Sequence, residues 1–126
     1  MEIIGTGTDI IEIERIKKAS QNEKFMNKIF TEGEREYFIK RNLKAESIAG
    51  TFSAKEAVSK SVGTGIREFS FKDIEILRDE IGKPYVNPLN DFKKFCDKNK
   101  ISEIKISISH CREYAVANAI AIAKEW

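Results

Sequence analysis

The sequence predicts an α+β fold, a single domain over residues 1–126 in which a mainly antiparallel sheet packs on one long helix. Three observations lead there. Large apolar residues recur at helical spacing from Ala45 to Val62; residues 104–109 and 114–123 alternate with a period of two; and strand, helices, strands, helix and strands follow one another in that order. With 126 residues, 41% of them hydrophobic and eight of them Phe, the chain can bury one modest core. We find no repeat, linker or low-complexity segment.

Taken in order, residues 2–9 read as a strand whose Gly5 and Gly7 let another backbone or a ligand come close. Beyond Asp9, apolar positions 10, 13 and 16 take up helical spacing, so a helix is expected from Ile10 to Ala19, with Asp9 either its N-cap or a junction carboxylate placed to hold a cation. Thr31 with Glu34 forms a capping box that opens a helix running to about Leu43. The long helix follows from Ala45 and ends at the Gly63-Thr64-Gly65 turn.

Phe69 to Leu77 has strand spacing, and the loop 79–84 returns the chain into a short strand at Tyr85-Val86. Asn87-Pro88 has the form of an N-cap and first helical residue, continued by Leu89, Phe92 and Phe95. Ile104, Ile106 and Ile108 mark a half-buried strand, and His110 to Glu113 a turn. In the last strand Ala115, Ala117, Ala119, Ala121 and Ala123 share one face. Such a face lets a helix pack close, and the long helix offers Ala49, Ser53, Ala57 and Ser61 to match it.

Composition excludes some functions. A formal charge of +2 is too small to argue for nucleic acid, and no apolar run approaches a transmembrane span. The first residues lack a basic region ahead of their apolar part, so a cytoplasmic protein is expected. One histidine and two unclustered cysteines leave little room for a zinc site.

The long helix carries residues that a core does not need. Ile48, Phe52, Ser59 and Val62 share one face; Glu56 edges it, Lys60 lies a turn further, and Lys55 points near its middle. One reading is an i,i+4 salt bridge between Glu56 and Lys60 with both lysine stems snorkelling, worth only ~0.3–0.5 kcal/mol. The other is that Glu56 holds a metal, Lys60 faces an anion, and the glycine turn admits a phosphate.

Four pieces decide between them: GTGTDIIEIERI (5–16), FSAKEAVSKSVGTGI (52–66), GKPYV (82–86) and SISHCREYAVA (107–117). In order and spacing they resemble the holo-acyl-carrier-protein synthases, the small bacterial phosphopantetheinyl transferases. The resemblance implies that fold, and transfer of 4'-phosphopantetheine from coenzyme A to a serine of apo-acyl carrier protein. It implies magnesium (Mg2+) on Asp9 and Glu56, and Lys60 against the pyrophosphate. As the base it leaves Glu56 or a water on the metal. It assigns Gly63, Thr64, Gly65, Lys83, Pro84 and His110, with Lys60, to coenzyme A. The carrier protein is expected on Arg15, Lys18 and Lys24, and a homotrimer with shared sites is expected by analogy.

Two positions depart from the family pattern. Thr51 stands where many members carry a phosphate-binding arginine, which leaves that role to other cations such as Lys44, and Cys111 stands where a hydroxyl residue is common. The rival from another class is an adaptor that binds an acidic protein through residues 15–44; a metal-dependent hydrolase is a weaker one.

Overall fold

The computed structural model describes residues 1–63 and 68–124. Its elements are β1 (Glu2–Glu12), α1 (Ile13–Ala19), α2 (Glu23–Ile29), α3 (Glu32–Lys40), α4 (Ala45–Ser61), a 3₁₀ turn at Phe71–Asp73, β2 (Ile74–Arg78), β3 (Pro84–Pro88), α5 (Asn90–Lys98), β4 (Ile101–His110) and β5 (Tyr114–Ala123). The expected α+β architecture is present, divided into two antiparallel sheets. One has the order β1-β5-β4, and the other is the β2-β3 hairpin.

The alanine face is what brings the sheet onto α4. Ala115, Ala117, Ala119 and Ala121 are buried, and Ala49, Ser53, Ala57 and Ser61 meet them as a buried stripe of small residues every four positions along α4. On β1, Gly7 and Gly5 pair with Ala119 and Ala121 on the same face. A Cβ at Gly7 would run into the Ala57 carbonyl, and one at Gly5 into the Ser61 carbonyl. This approach is so close that only glycine fits on the edge strand. Ala119→Leu is accordingly expected to overpack the contact, costing about 1–3 kcal/mol in a denaturant melt. Unchanged stability would show that the face tolerates bulk.

Two apolar clusters flank α4. Val58 and Val62 join Phe69, Phe92 and Phe95 on one side; Ile48 and Ala49 join Ile13, Ile16, Phe30 and Phe38 on the other. The helix is therefore buried around most of its girth rather than along one stripe.

Four boundaries differ from the sequence reading. Residues 10–12 continue β1 instead of opening a helix, because Ile10 and Ile11 find partners in Val116 and Ala115. Asp9 is thus mid-strand, opposite Ala117, and caps nothing. A short helix, α2, lies where none was expected, capped by Asn22, whose side chain accepts from the amides of Lys24 and Phe25. Phe69 to Asp73 is not strand: Ser70 and Asp73 exchange capping bonds and wind a turn before Ile74. Asn87 and Pro88 belong to β3, where the Asn87 amide donates to Glu75 Oε1 at 2.9 Å instead of capping α5. The Thr31–Glu34 capping box forms as read, and α3 ends at Lys40, short of Leu43.

Candidate active site

β1 and α4 build the site between them. Asp9 points to the same face as Gly7, toward α4, and its Oδ1 accepts from Lys60 Nζ at 3.3 Å. Lys60 also donates to the Thr8 carbonyl at 3.1 Å. The lysine therefore pairs across elements with Asp9, rather than forming the helical salt bridge weighed from sequence.

Glu56 sits one turn before Lys60, half-buried. Burial pushes its carboxyl above the usual carboxylate range; the charge of Asp9 adds to this, and that of Lys60 opposes it. Two carboxylates held together with one exposed lysine form a site short of positive charge. Carboxylate oxygens are hard donors, and magnesium is commonly held by one or two of them plus substrate phosphates, so Asp9 and Glu56 fit that ion. Among the described residues no group of three or more His, Cys, Asp or Glu gathers into a larger metal cluster.

Gly63, just past the end of α4, takes φ +82°, the left-handed conformation of a helix stop, and its amide donates to the Lys60 carbonyl at 3.1 Å. Thr64 and Gly65, expected beside it, lie outside the described residues.

The other expected coenzyme A residues are elsewhere. His110 ends β4 opposite Ala115, with β5 between it and β1, roughly 10 Å from the Asp9 strand at two strand spacings. Pro84 pairs with Arg78, and Lys83 precedes it in the exposed hairpin loop. Arg78 in turn reaches Thr51, which lies about 140° round α4 from Glu56. Within one chain, then, Asp9, Glu56 and Lys60 come together with Gly63 close behind, while Lys83 and Pro84 on the hairpin and His110 at the end of β4 lie on other elements.

Arg15 and Lys18 share the exposed face of α1, whose Ile13 and Ile16 are buried, and Lys24 is exposed at the start of α2. Since α1 follows β1 directly, this basic face stands six residues beyond Asp9.

Sequence reasoning misplaced Lys55. Its side chain does not snorkel: it is fully buried, 2.8 Å from Glu34 Oε1, and donates to the carbonyls of Phe71 and Ile74 at 2.9 and 2.7 Å. Glu34 accepts from the amides of Thr31 and Ile76 at 2.9 and 2.7 Å. Burial raises the carboxyl and lowers the ammonium, each opposed by its partner. The only sequence signal was a lysine inside an apolar stripe; its partner lies 21 positions away on another helix. Thr51 is likewise buried, and Arg78 donates to its hydroxyl at 3.3 Å.

Among the described residues no helix is long and apolar enough to cross a membrane. Comparison with known proteins places this architecture. The model of the 4'-phosphopantetheinyl transferase superfamily matches residues 5–119. A holo-[acyl-carrier-protein] synthase of Fusobacterium nucleatum is 54% identical over 121 residues, covering 95% of this chain and 99% of its own. The crystal structure of the Neisseria meningitidis holo-[acyl-carrier-protein] synthase superposes with TM-score 0.89 at 33% identity, covering 96% of this chain and 99% of that one. That of Bacillus anthracis, in complex with CoA (3',5'-ADP), gives 0.78 at 42% identity over 97% and 98% of the two chains. The chain belongs to the 4'-phosphopantetheinyl transferase superfamily and, within it, to the holo-[acyl-carrier-protein] synthases.

Proposed function

We propose that this protein transfers 4'-phosphopantetheine from coenzyme A to a serine hydroxyl of apo-acyl carrier protein and releases adenosine 3',5'-bisphosphate. The observation that carries this reading is the meeting of Asp9, Glu56 and Lys60 at the contact of β1 with α4. Asp9 and Glu56 would hold magnesium, which when bound neutralises charge growing on the pyrophosphate.

The chain's own residues do the rest. The serine oxygen forms a bond to the phosphorus that carries pantetheine, and the bond from that phosphorus to the bridging oxygen breaks. Lys60 is held by Thr8 and Asp9 with half its side chain exposed, so its ammonium can steady the departing phosphate oxygens. The half-buried Glu56 carboxylate, one turn before Lys60, is placed to take the serine proton. Gly63, Thr64 and Gly65 offer backbone to coenzyme A, with Lys83, Pro84 and His110 completing its site.

Those last three lie apart from Lys60 within one chain, which supports a homotrimer whose sites are shared between subunits. The outer sheet face supports it too. Ile10 and Ile120, on the side of the sheet away from α4, are 63% and 39% exposed. The holo-carrier protein serves fatty acid biosynthesis, and we place the enzyme in the cytoplasm.

The decisive experiment mixes purified protein, coenzyme A and apo-acyl carrier protein, with magnesium or with chelator, and weighs the carrier. A mass gain of one phosphopantetheine, dependent on magnesium, is expected. No gain would return the basic helices to an adaptor role, and hydrolysis of coenzyme A without carrier would point to a hydrolase.

The docking helix has its own test. Arg15→Glu is expected to raise the KM for carrier protein about tenfold while changing that for coenzyme A much less, since α1 lies outside the coenzyme A residues. Salt should weaken the wild type in the same sense, as exposed charges are screened beyond ~8–10 Å. Equal effects on both substrates would make Arg15 structural.

A further inference from the structure

Arg78, the last residue of β2, is a guanidinium with no carboxylate paired to it among the described residues. Its Nη2 donates to Thr51 Oγ1 at 3.3 Å, while Nη1 is buried with no hydrogen-bond partner among the described residues. The group lies over Tyr37, its Cζ 4.4 Å from the ring centroid. Burial weighs first against its charge; Tyr37 and Glu34 oppose that, and the cation of Arg41 adds to it. Glu34 does not complete the pair, because Lys55 and two backbone amides already occupy its carboxylate.

An arginine stays charged even here, and a buried unpaired donor calls for a partner such as a water or an anion. The surroundings are basic. Arg41 and Lys44 follow α3, and Lys83 precedes Pro84, the residue paired with Arg78 across the hairpin. A planar guanidinium stacked on an aromatic ring is already ordered for two-pronged contact with a phosphate.

We propose that Arg78, with Arg41 beside it, binds the 3'-phosphate of coenzyme A. The inference rests on the transfer reading above. Position selects this phosphate: Thr51 and Arg78 lie on the side of α4 away from Glu56 and Lys60, where the pyrophosphate reacts. The remaining phosphate of coenzyme A is the monoester at the adenosine end. Arg78 thereby takes a role that Thr51, with its neutral hydroxyl, does not fill.

The test compares nucleotides with and without that phosphate on the full chain. By calorimetry, wild type is expected to bind adenosine 3',5'-bisphosphate about tenfold or more tightly than adenosine 5'-monophosphate, and Arg78→Gln to lose most of the difference. Arg78→Lys, which keeps the charge without the fork or the stack, should fall between. In transfer assays, the KM ratio of dephospho-coenzyme A to coenzyme A should drop toward one in Arg78→Gln.

Equal weakening of both nucleotides in Arg78→Gln would overturn the assignment. So would a wild type indifferent to the 3'-phosphate, a result that does not depend on whether the variant folds. A wild type that discriminates the nucleotides yet modifies no carrier protein would uphold the phosphate site and sink the transfer reading alone.

Discussion

Asp9→Ala and Glu56→Ala are each expected to lower phosphopantetheine transfer about a hundredfold or more, with the fold intact. Among the described residues the two side chains supply the carboxylates that the structure sets around Lys60, so either loss removes half of the charge they offer a divalent ion. Asp9→Ala also frees Lys60, which is then held by the Thr8 carbonyl alone. Stability should change little, because the Asp9–Lys60 pair is half exposed on the lysine side and such pairs contribute little. Glu56→Ala removes a carboxylate that burial and Asp9 already disfavour in its charged form. Carrier-protein mass, measured beside circular dichroism across a magnesium titration, checks both. Near-normal turnover of either variant at saturating magnesium would remove that residue from the metal site.

Lys55→Met should be the most destabilising single change at the site's support, at about 3–5 kcal/mol. It leaves the Glu34 carboxylate, fully buried, without its ammonium, and strands the carbonyls of Phe71 and Ile74. That network ties α3, α4 and the start of β2 together, so Glu56, the next residue along α4, is anchored through it. The double variant Glu34→Gln with Lys55→Met should be less destabilised than the sum of the two single changes, since the neutral amide leaves no buried charge without its counterion, although its one oxygen can accept from only one of the Thr31 and Ile76 amides. Urea melts of the three variants measure this. A loss below about 1 kcal/mol in Lys55→Met would mean that the ammonium is not what makes the buried carboxylate tolerable.

Much of the fold is written locally. Alternation at 104–108 and 114–123 yields β4 and β5, because side chains of a strand alternate between core and solvent wherever it lies. The Thr31–Glu34 box starts α3, because caps act within a few residues. Asp9, Glu56 and Lys60 could be singled out for the same kind of reason: charged groups beside glycines or within an apolar stripe conflict with their neighbours in the chain.

What the tertiary structure alone decided are the pairings between distant residues. Residues 10–12 have helical spacing, yet they extend β1, because β5 offers ladder partners that a single turn of helix cannot match. Asn87-Pro88 reads as a helix start, but Glu75 across the hairpin takes the Asn87 side chain. Lys60 had an acid four residues away and chose Asp9, 51 positions distant, since close packing of β1 on α4 puts that carboxylate within reach. Lys55 found Glu34, and Arg78 found Thr51 and Tyr37, for the same reason. Periodicity and capping concern the chain's own neighbours, whereas the partner of a buried charge is set by which elements the core presses together.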